Sequence, residues 1–255
     1  TACGEGIGGL IVLAVLARGR SGLWLRREEL VPEGGLVRRI LRISAPATGE
    51  SLTNILCQLW FLGLINRLGT AASAAHGIAI RCEAIAFLTV TAFSVAAGTL
   101  TGQYLGALRP DLAARAARTA WALGVAVLGG LGLVLYTQAE PMVALFLGEG
   151  RPEVAAQGAA VLRVVAFAMP ALATLNVLGG ALRGAGDTRW PWVIAVVGYL
   201  GVRLPLTYHL TGPPTVGGLG WGLHGAWVAM LADLCVRGTL FAARFLQGGW
   251  QRVRI

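Results

Sequence analysis

Six apolar stretches, each long enough to cross a bilayer, fill this sequence, and arginines crowd the alternate connections between them. The stretches run over 43–66, 72–100, 119–137, 157–182, 190–208 and 219–242. About 20 apolar residues cross a hydrocarbon core of about 30 Å, and each stretch is close to that length or longer. Fifteen arginines fall in the segments 18–42, 102–118, 183–189 and 244–255, whereas the opposite loops hold only Arg67 and Arg151. Positive charge resists translocation, so the arginine-rich side is expected to be cytoplasmic, with the C-terminus on it and 209–220 outside. The expected fold class is an all-α membrane protein, multi-pass in the inner or plasma membrane.

With 56% apolar and 13% charged residues, the composition fits a chain solvated by lipid. The net charge of +9 is therefore no nucleic-acid footprint, because the arginines flank the spans, where they set topology and meet anionic lipid. No lysine is present, which excludes a Schiff-base or phosphate-gripping lysine. Cys3, Cys57, Cys82 and Cys235 form no C-x-x-C pair and read as small buried residues, with no metal site or disulfide framework. Neither a catalytic triad order nor a zinc-protease, Walker or dinucleotide motif occurs, so an enzyme or ATPase is not expected.

Residues 1–17 read as the end of a preceding transmembrane helix, and the chain as the C-terminal part of something longer. Residues 18–42 read as a polar connector on the cytoplasmic face, partly an amphipathic helix. The lobe proper runs over 43–246, followed by a cytoplasmic tail, 247–255. Trp121, Trp190, Trp192, Trp221 and Trp250 cluster near span ends, where amphipathic rings favour the interface. Glycines within spans, among them Gly124, Gly129, Gly130 and Gly132, permit close helix approach.

Charges inside a span cost about 2.5–3.5 kcal/mol or more and need a reason. Glu50, Asn54 and Gln58 repeat every four residues and share one helical stripe within about 80° of arc. Such a stripe faces other helices or a water-filled cavity. It either glues helices together or forms a cavity wall on which Glu50 binds a proton or cation. Asn176, beyond a kink expected at Pro170, is a candidate for a second wall. Arg81 and Glu83, two apart, point to different faces and are expected to find partners elsewhere in a structural network. Asp233 and Arg237, four apart, suit an intrahelical pair. Arg163 can snorkel outward, His76 falls just outside its span, and His224, between glycines, reads as a packing residue.

Four blocks then come together: PATGESLTNIL with INRLGTAASAAHGIAIRCE (46–83), AAGTLTGQYLGALRPDLAARAAR (96–118), ALRGAGDTRWP (181–191), and RLPLTYHL with GLGWGLHGAWVAM (203–230). They resemble the C-terminal half of the multidrug and toxic compound extrusion (MATE) family of secondary transporters. The resemblance implies a six-helix lobe, half of a twelve-helix transporter, preceded by the end of helix six. It also implies antiport of drug-like, often cationic compounds against H⁺ or Na⁺, with no other cofactor. The expected partners are the bilayer and an N-terminal lobe absent from this sequence, or a second copy in its place. Gly106 could cap the helix before Pro110, and Asp187 or Thr188 the helix after the LRGAGDT turn. Sodium-coupled members carry acids in helices seven and ten. Glu50 lies on helix seven, but Leu172 stands where the helix-ten aspartate would be, which favours protons over sodium. A lipid-linked sugar flippase of the same superfamily, calling for cavity arginines such as Arg81 and Arg203, is the alternative. A truncated, non-transporting membrane remnant is the reading from a different class.

Overall fold

The computed structural model describes residues 2–17, 33–147 and 152–252. It divides into two compact units, Thr1–Arg42 and Ile43–Ile255. In the first unit lies α1 (Ala2–Ala17), an apolar helix shorter than a span. Of the expected connector, 18–42, residues 18–32 lie outside the described residues, and α2 (Gly34–Arg67) begins within its remainder and continues through Pro46.

The second unit is a bundle of α2 from Ile43 onward, α3 (Thr70–Gly106), α4 (Pro110–Thr137), a short α5 (Ala139–Leu147), α6 (Pro152–Gly184), α7 (Arg189–Val196) running through a π-helical stretch (Val197–Arg203) into α8 (Leu204–Thr211), and α9 (Gly222–Leu246). Among the described residues there is no strand. Five of these segments (α3, α4, α6, the continuous Arg189–Thr211 and α9) are long and apolar enough to cross a membrane. The chain is a multi-pass membrane protein. The remaining expected span, 43–66, is helical and long enough within α2, but Glu50, Asn54, Gln58 and Asn66 dilute its apolar run. The helix α5 has no counterpart in the sequence reading.

Helix α6 sits at the centre, with α3, α4, α5 and α9 packed around it. Its core face is an unbroken series of small and branched residues, from Val161, Leu162 and Val165 through Met169 and Ala173 to Leu178 and Leu182. The tightest seam is α3 on α6, where Gly98-x-x-x-Gly102 crosses Gly180-x-x-x-Gly184. A Cβ on Gly98 would lie 2.9 Å from the Gly180 carbonyl, and one on Gly184 would run into the Gly98 carbonyl. Without a hydrophobic force between helices in lipid, such backbone approach supplies the packing. Of the spans' other glycines, Gly124 and Gly132 meet α6 at Val177 and Met169, whereas Gly129 and Gly130 have nothing within 4 Å.

Two turns differ from expectation. Leu108, not Gly106, takes the left-handed conformation (φ 59°) that closes α3, with the Arg109 amide reaching back to the Tyr104 carbonyl at 2.8 Å. At the end of α6 the left-handed residue is Gly186 (φ 78°), and the Asp187 amide bonds the Leu182 carbonyl at 2.9 Å. Thr188 stands at the N-cap of α7, but neither its side chain nor that of Asp187 makes a capping bond. The Thr188 hydroxyl donates to the Ile43 carbonyl (3.1 Å), and Asp187 pairs with Arg244. Trp250 is buried as well, stacked on Phe245 with ring centroids 5.2 Å apart.

Candidate functional site

The polar stripe of α2 turns toward α6 and α7. Glu50, whose side chain is 19% exposed, accepts from Arg183 Nη1 at 2.9 Å. Three residues on, the Thr53 hydroxyl accepts from Trp192 Nε1 at 3.3 Å. Gln58 Oε1 lies 3.5 Å from Arg203 Nη1, and Trp60 Nε1 donates to the Tyr208 hydroxyl at 3.2 Å. Between them Asn54 is exposed and makes no hydrogen bond among the described residues. By helical geometry it shares the face of Glu50, Cys57 and Phe61, so the stripe is held by partners above and below and left exposed at Asn54.

Glu50 is thus not an isolated carboxylate on its stripe, because Arg183 at the end of α6 reaches it. Asn176 is half-buried, and its Nδ2 is bound back to the Leu172 carbonyl of its own helix at 2.9 Å. Its backbone carbonyl accepts from Ser94 Oγ at 2.8 Å, and among the described residues no hydrogen bond joins it to the α2 stripe. Leu172 itself is buried in the apolar core. A second polar wall at Asn176 is therefore limited to its amide oxygen.

The expected structural network is present only in part and is built around a different residue. Asp233 and Arg237 form the intrahelical pair, with Arg237 Nε and Nη2 at 2.8 and 2.7 Å from the two carboxylate oxygens. Arg203, at the end of the π-helical stretch, adds a second guanidinium to the same carboxylate, at 2.8 Å. The side-chain exposures are 3% for Arg203, 0% for Asp233 and 7% for Arg237. Tyr199, one turn before Arg203, places its ring under both guanidiniums, with centroids 5.0 Å from Arg203 and 4.2 Å from Arg237. The π-helical stretch widens the turn so that Tyr199 and Arg203 both face α9, a geometry frequent at functional sites. Gly198 makes this approach possible, since a Cβ there would overlap Asp233 and Arg237.

Arg81 and Glu83 are not joined to this cluster by an ion pair. Arg81 is exposed, and neither residue makes a salt bridge among the described residues, because α3 turns the two side chains to different faces. Glu83 is half-buried. His76, expected outside its span, is buried with its ring 5.9 Å from Phe61 and 5.4 Å from Trp227. The Arg163 side chain bonds Glu140 at 2.8 Å across α6 and α5.

At the arginine-rich end, Asp187 Oδ2 accepts from Arg244 Nη2 and Nε at 2.7 and 3.0 Å, and the Arg244 guanidinium lies 5.0 Å from the Trp190 ring. This ties the α6–α7 turn to the end of α9. At the opposite end a pocket of about 440 Å³ opens between the α2–α3 turn, α6 and α9, with Leu68, Gln157, Trp221 and His224 on its walls. His224 is exposed there rather than packed between its glycines.

Sequence reading names Arg203 only as a possible cavity arginine and gives it no partner, although an arginine within an apolar span is a signal that one must exist. Asp187 reads as a cap because its partner is 57 residues away and no local pattern reveals it.

Residues 46–209 match the family model MatE, well over half of the chain. The chain belongs to the MATE family. Among curated relatives, it is 28% identical over 91% of its length to the probable multidrug resistance protein NorM of Thermotoga maritima, covering 49% of that protein. It is 35% identical over 70% of its length to multidrug resistance protein NorM of Burkholderia vietnamiensis, covering 38% of it. Among solved structures, the bent form of the Vibrio cholerae MATE transporter VcmN superposes with a TM-score of 0.79 at 21% identity, over 95% of this chain and 53% of that one. The chain thus spans about half the length, or less, of the relatives it matches. MATE proteins are transporters, not enzymes, and the all-helical lobe seen here agrees in fold with half of one.

Proposed function

We propose that this MATE lobe is the C-terminal half of an ion-coupled multidrug exporter. Its substrates are drug-like, often cationic organic compounds, and it alternates access against an N-terminal six-helix lobe. The observation that carries this reading is the MatE match over 46–209, with relatives named multidrug resistance proteins over most of the chain. In this reading the exposed Asn54 is part of a cavity wall, and Glu50 is the coupling carboxylate. Proton uptake by Glu50 breaks its ion pair with Arg183, so the two protonation states favour different arrangements of α2 against the end of α6. Leu172 in place of a second acid supports proton over sodium coupling. The flippase reading gains less support, because it calls for a cluster of cavity arginines and Arg81 is exposed.

The test is Glu50→Gln in the product of the complete reading frame, assayed for drug efflux across an imposed pH gradient. Efflux is expected to fall and to lose its dependence on the gradient. Unchanged efflux with unchanged pH dependence would place the coupling carboxylate elsewhere and leave Glu50 a structural role.

Orientation follows from the arginine asymmetry, with the α3–α4 and α6–α7 turns and the end of α9 cytoplasmic. Thr215 is exposed in the short 3₁₀ turn Pro214–Val216 after α8. In a cysteine-free background, Thr215→Cys is expected to react with an impermeant maleimide added to intact cells. Reaction only after permeabilisation would invert the topology.

A further inference from the structure

The charge balance of the Arg203–Asp233–Arg237 cluster is incomplete. Two guanidiniums that stay protonated at any accessible pH share one carboxylate, and all three side chains are buried. Arg203 Nε is buried with no hydrogen-bond partner, and Arg203 Nη1 has only Gln58, at 3.5 Å, the outer limit of a hydrogen bond. Nε and Nη1 flank the Asp233-bound Nη2, so each leaves a donor open to an oxygen of an incoming anion. Glu83, half-buried on α3, forms no salt bridge among the described residues. Cys57 and the Tyr199 and Phe61 rings complete the surroundings, and none of them supplies a negative charge.

We propose that Arg203, backed by Arg237, is a subsite for an organic oxyanion, the carboxylate or phosphate group of a molecule that approaches over the exposed Asn54–Gln58 face of α2. Gln58 is the group displaced. It is exposed, its bond to Arg203 is weak, and it stands between that face and the guanidinium. Asp233 lies near the middle of the 25-residue α9, so a lipid headgroup held at either end of the helix is more than ten residues of helix rise away. A free amphiphile, carrying its own apolar body, is the ligand that reaches this depth. Phe61, Tyr199 and Cys57, buried around the guanidinium, are the apolar and aromatic side chains that meet such a body where Gln58 gives way. The inference rests on the exporter reading only for calling the bound molecule a cargo. That cargo is then a zwitterion or an acid and not a simple cation.

The experiment is equilibrium binding to the purified chain in nonionic detergent without added lipid, by calorimetry and thermal shift. The probes are benzoate, phenyl phosphate and, as the uncharged control, benzyl alcohol. At least one of the two anions is expected to bind and raise the unfolding temperature, and which one does so distinguishes a carboxylate from a phosphate ligand. Benzyl alcohol is expected to do neither. In Arg203→Gln the anion effect is lost. Because that change itself weakens the core, Gln58→Ala gives an independent reading that leaves the contacts to Asp233 intact. Removing the amide that occupies Arg203 Nη1 is expected to tighten anion binding about fivefold. Equal responses to anion and alcohol, anion binding that survives Arg203→Gln, or an unchanged affinity in Gln58→Ala overturns the proposal. Since no gradient or efflux enters this assay, its failure leaves the exporter reading untouched, and failed efflux in Glu50→Gln leaves the subsite untouched.

Discussion

Alanine in place of Asp233 is expected to lower the unfolding temperature of the detergent-solubilised chain by about 10 °C or more. The carboxylate is fully buried and is the sole ion-pair partner of two buried guanidiniums among the described residues. Arginine cannot relieve the burial by losing its proton, so both charges remain in a low-dielectric core. Breaking a buried ion pair from one side costs about 3–5 kcal/mol for that reason. Asp233→Asn keeps the shape and one acceptor but not the charge, and it should fall between wild type and Asp233→Ala. Replacing all three charges together, as Arg203→Met, Asp233→Leu and Arg237→Met, should recover much of the loss, since an apolar cluster leaves nothing unpaired. Thermal unfolding of the four proteins checks this ordering. A triple variant less stable than Asp233→Ala would show that the cluster stabilises the lobe beyond its mutual compensation.

A comparable loss is expected from a single methyl group at the α3–α6 seam. In Gly184→Ala the new Cβ meets the Gly98 carbonyl, and in Gly180→Ala it meets the carbonyl and hydroxyl of Ser94. Backbone atoms on two long helices cannot step aside as a side-chain tip can, so the helices must separate along the seam. Overpacking of this kind costs about 1–3 kcal/mol, and loss of the neighbouring close contacts adds to it. Gly129→Ala and Gly130→Ala supply the control, because a Cβ there meets nothing within 4 Å. Helix propensity alone should make them neutral or more stable by up to about 1 kcal/mol. Melting temperatures that fall equally in all four variants would mean that the seam carries no special weight.

The contrast between these glycines shows how much of the lobe is legible in its sequence. Hydropathy and arginine placement locate the spans, since burial in lipid is a property of each segment taken alone. Which glycines matter is a property of pairs, and Gly129 and Gly98 look the same until α6 is set beside α3. The same holds for the polar groups. The Glu50–Asn54–Gln58 stripe is readable because its spacing is local, and so is the Asp233–Arg237 pair. Arg183 and Arg244 read as topology signals and Arg203 as a cavity charge, yet each bonds a carboxylate on another element, Glu50, Asp187 and Asp233 respectively. Leu108 in a left-handed turn is not legible at all, because the residue type argues against it.

The way α2 is fastened has a consequence for synthesis. The partners of Glu50, Thr53, Gln58 and Trp60 lie 133 to 148 residues later in the chain. At ordinary ribosomal speed they emerge on the order of ten seconds after α2 does. Over that interval a helix bearing a carboxylate and two amides has none of these later partners. Its ion pair with Arg183 and its bond to Arg203 form only once the last helices of the lobe are made, so the fastening of the first helix is among the last steps of assembly.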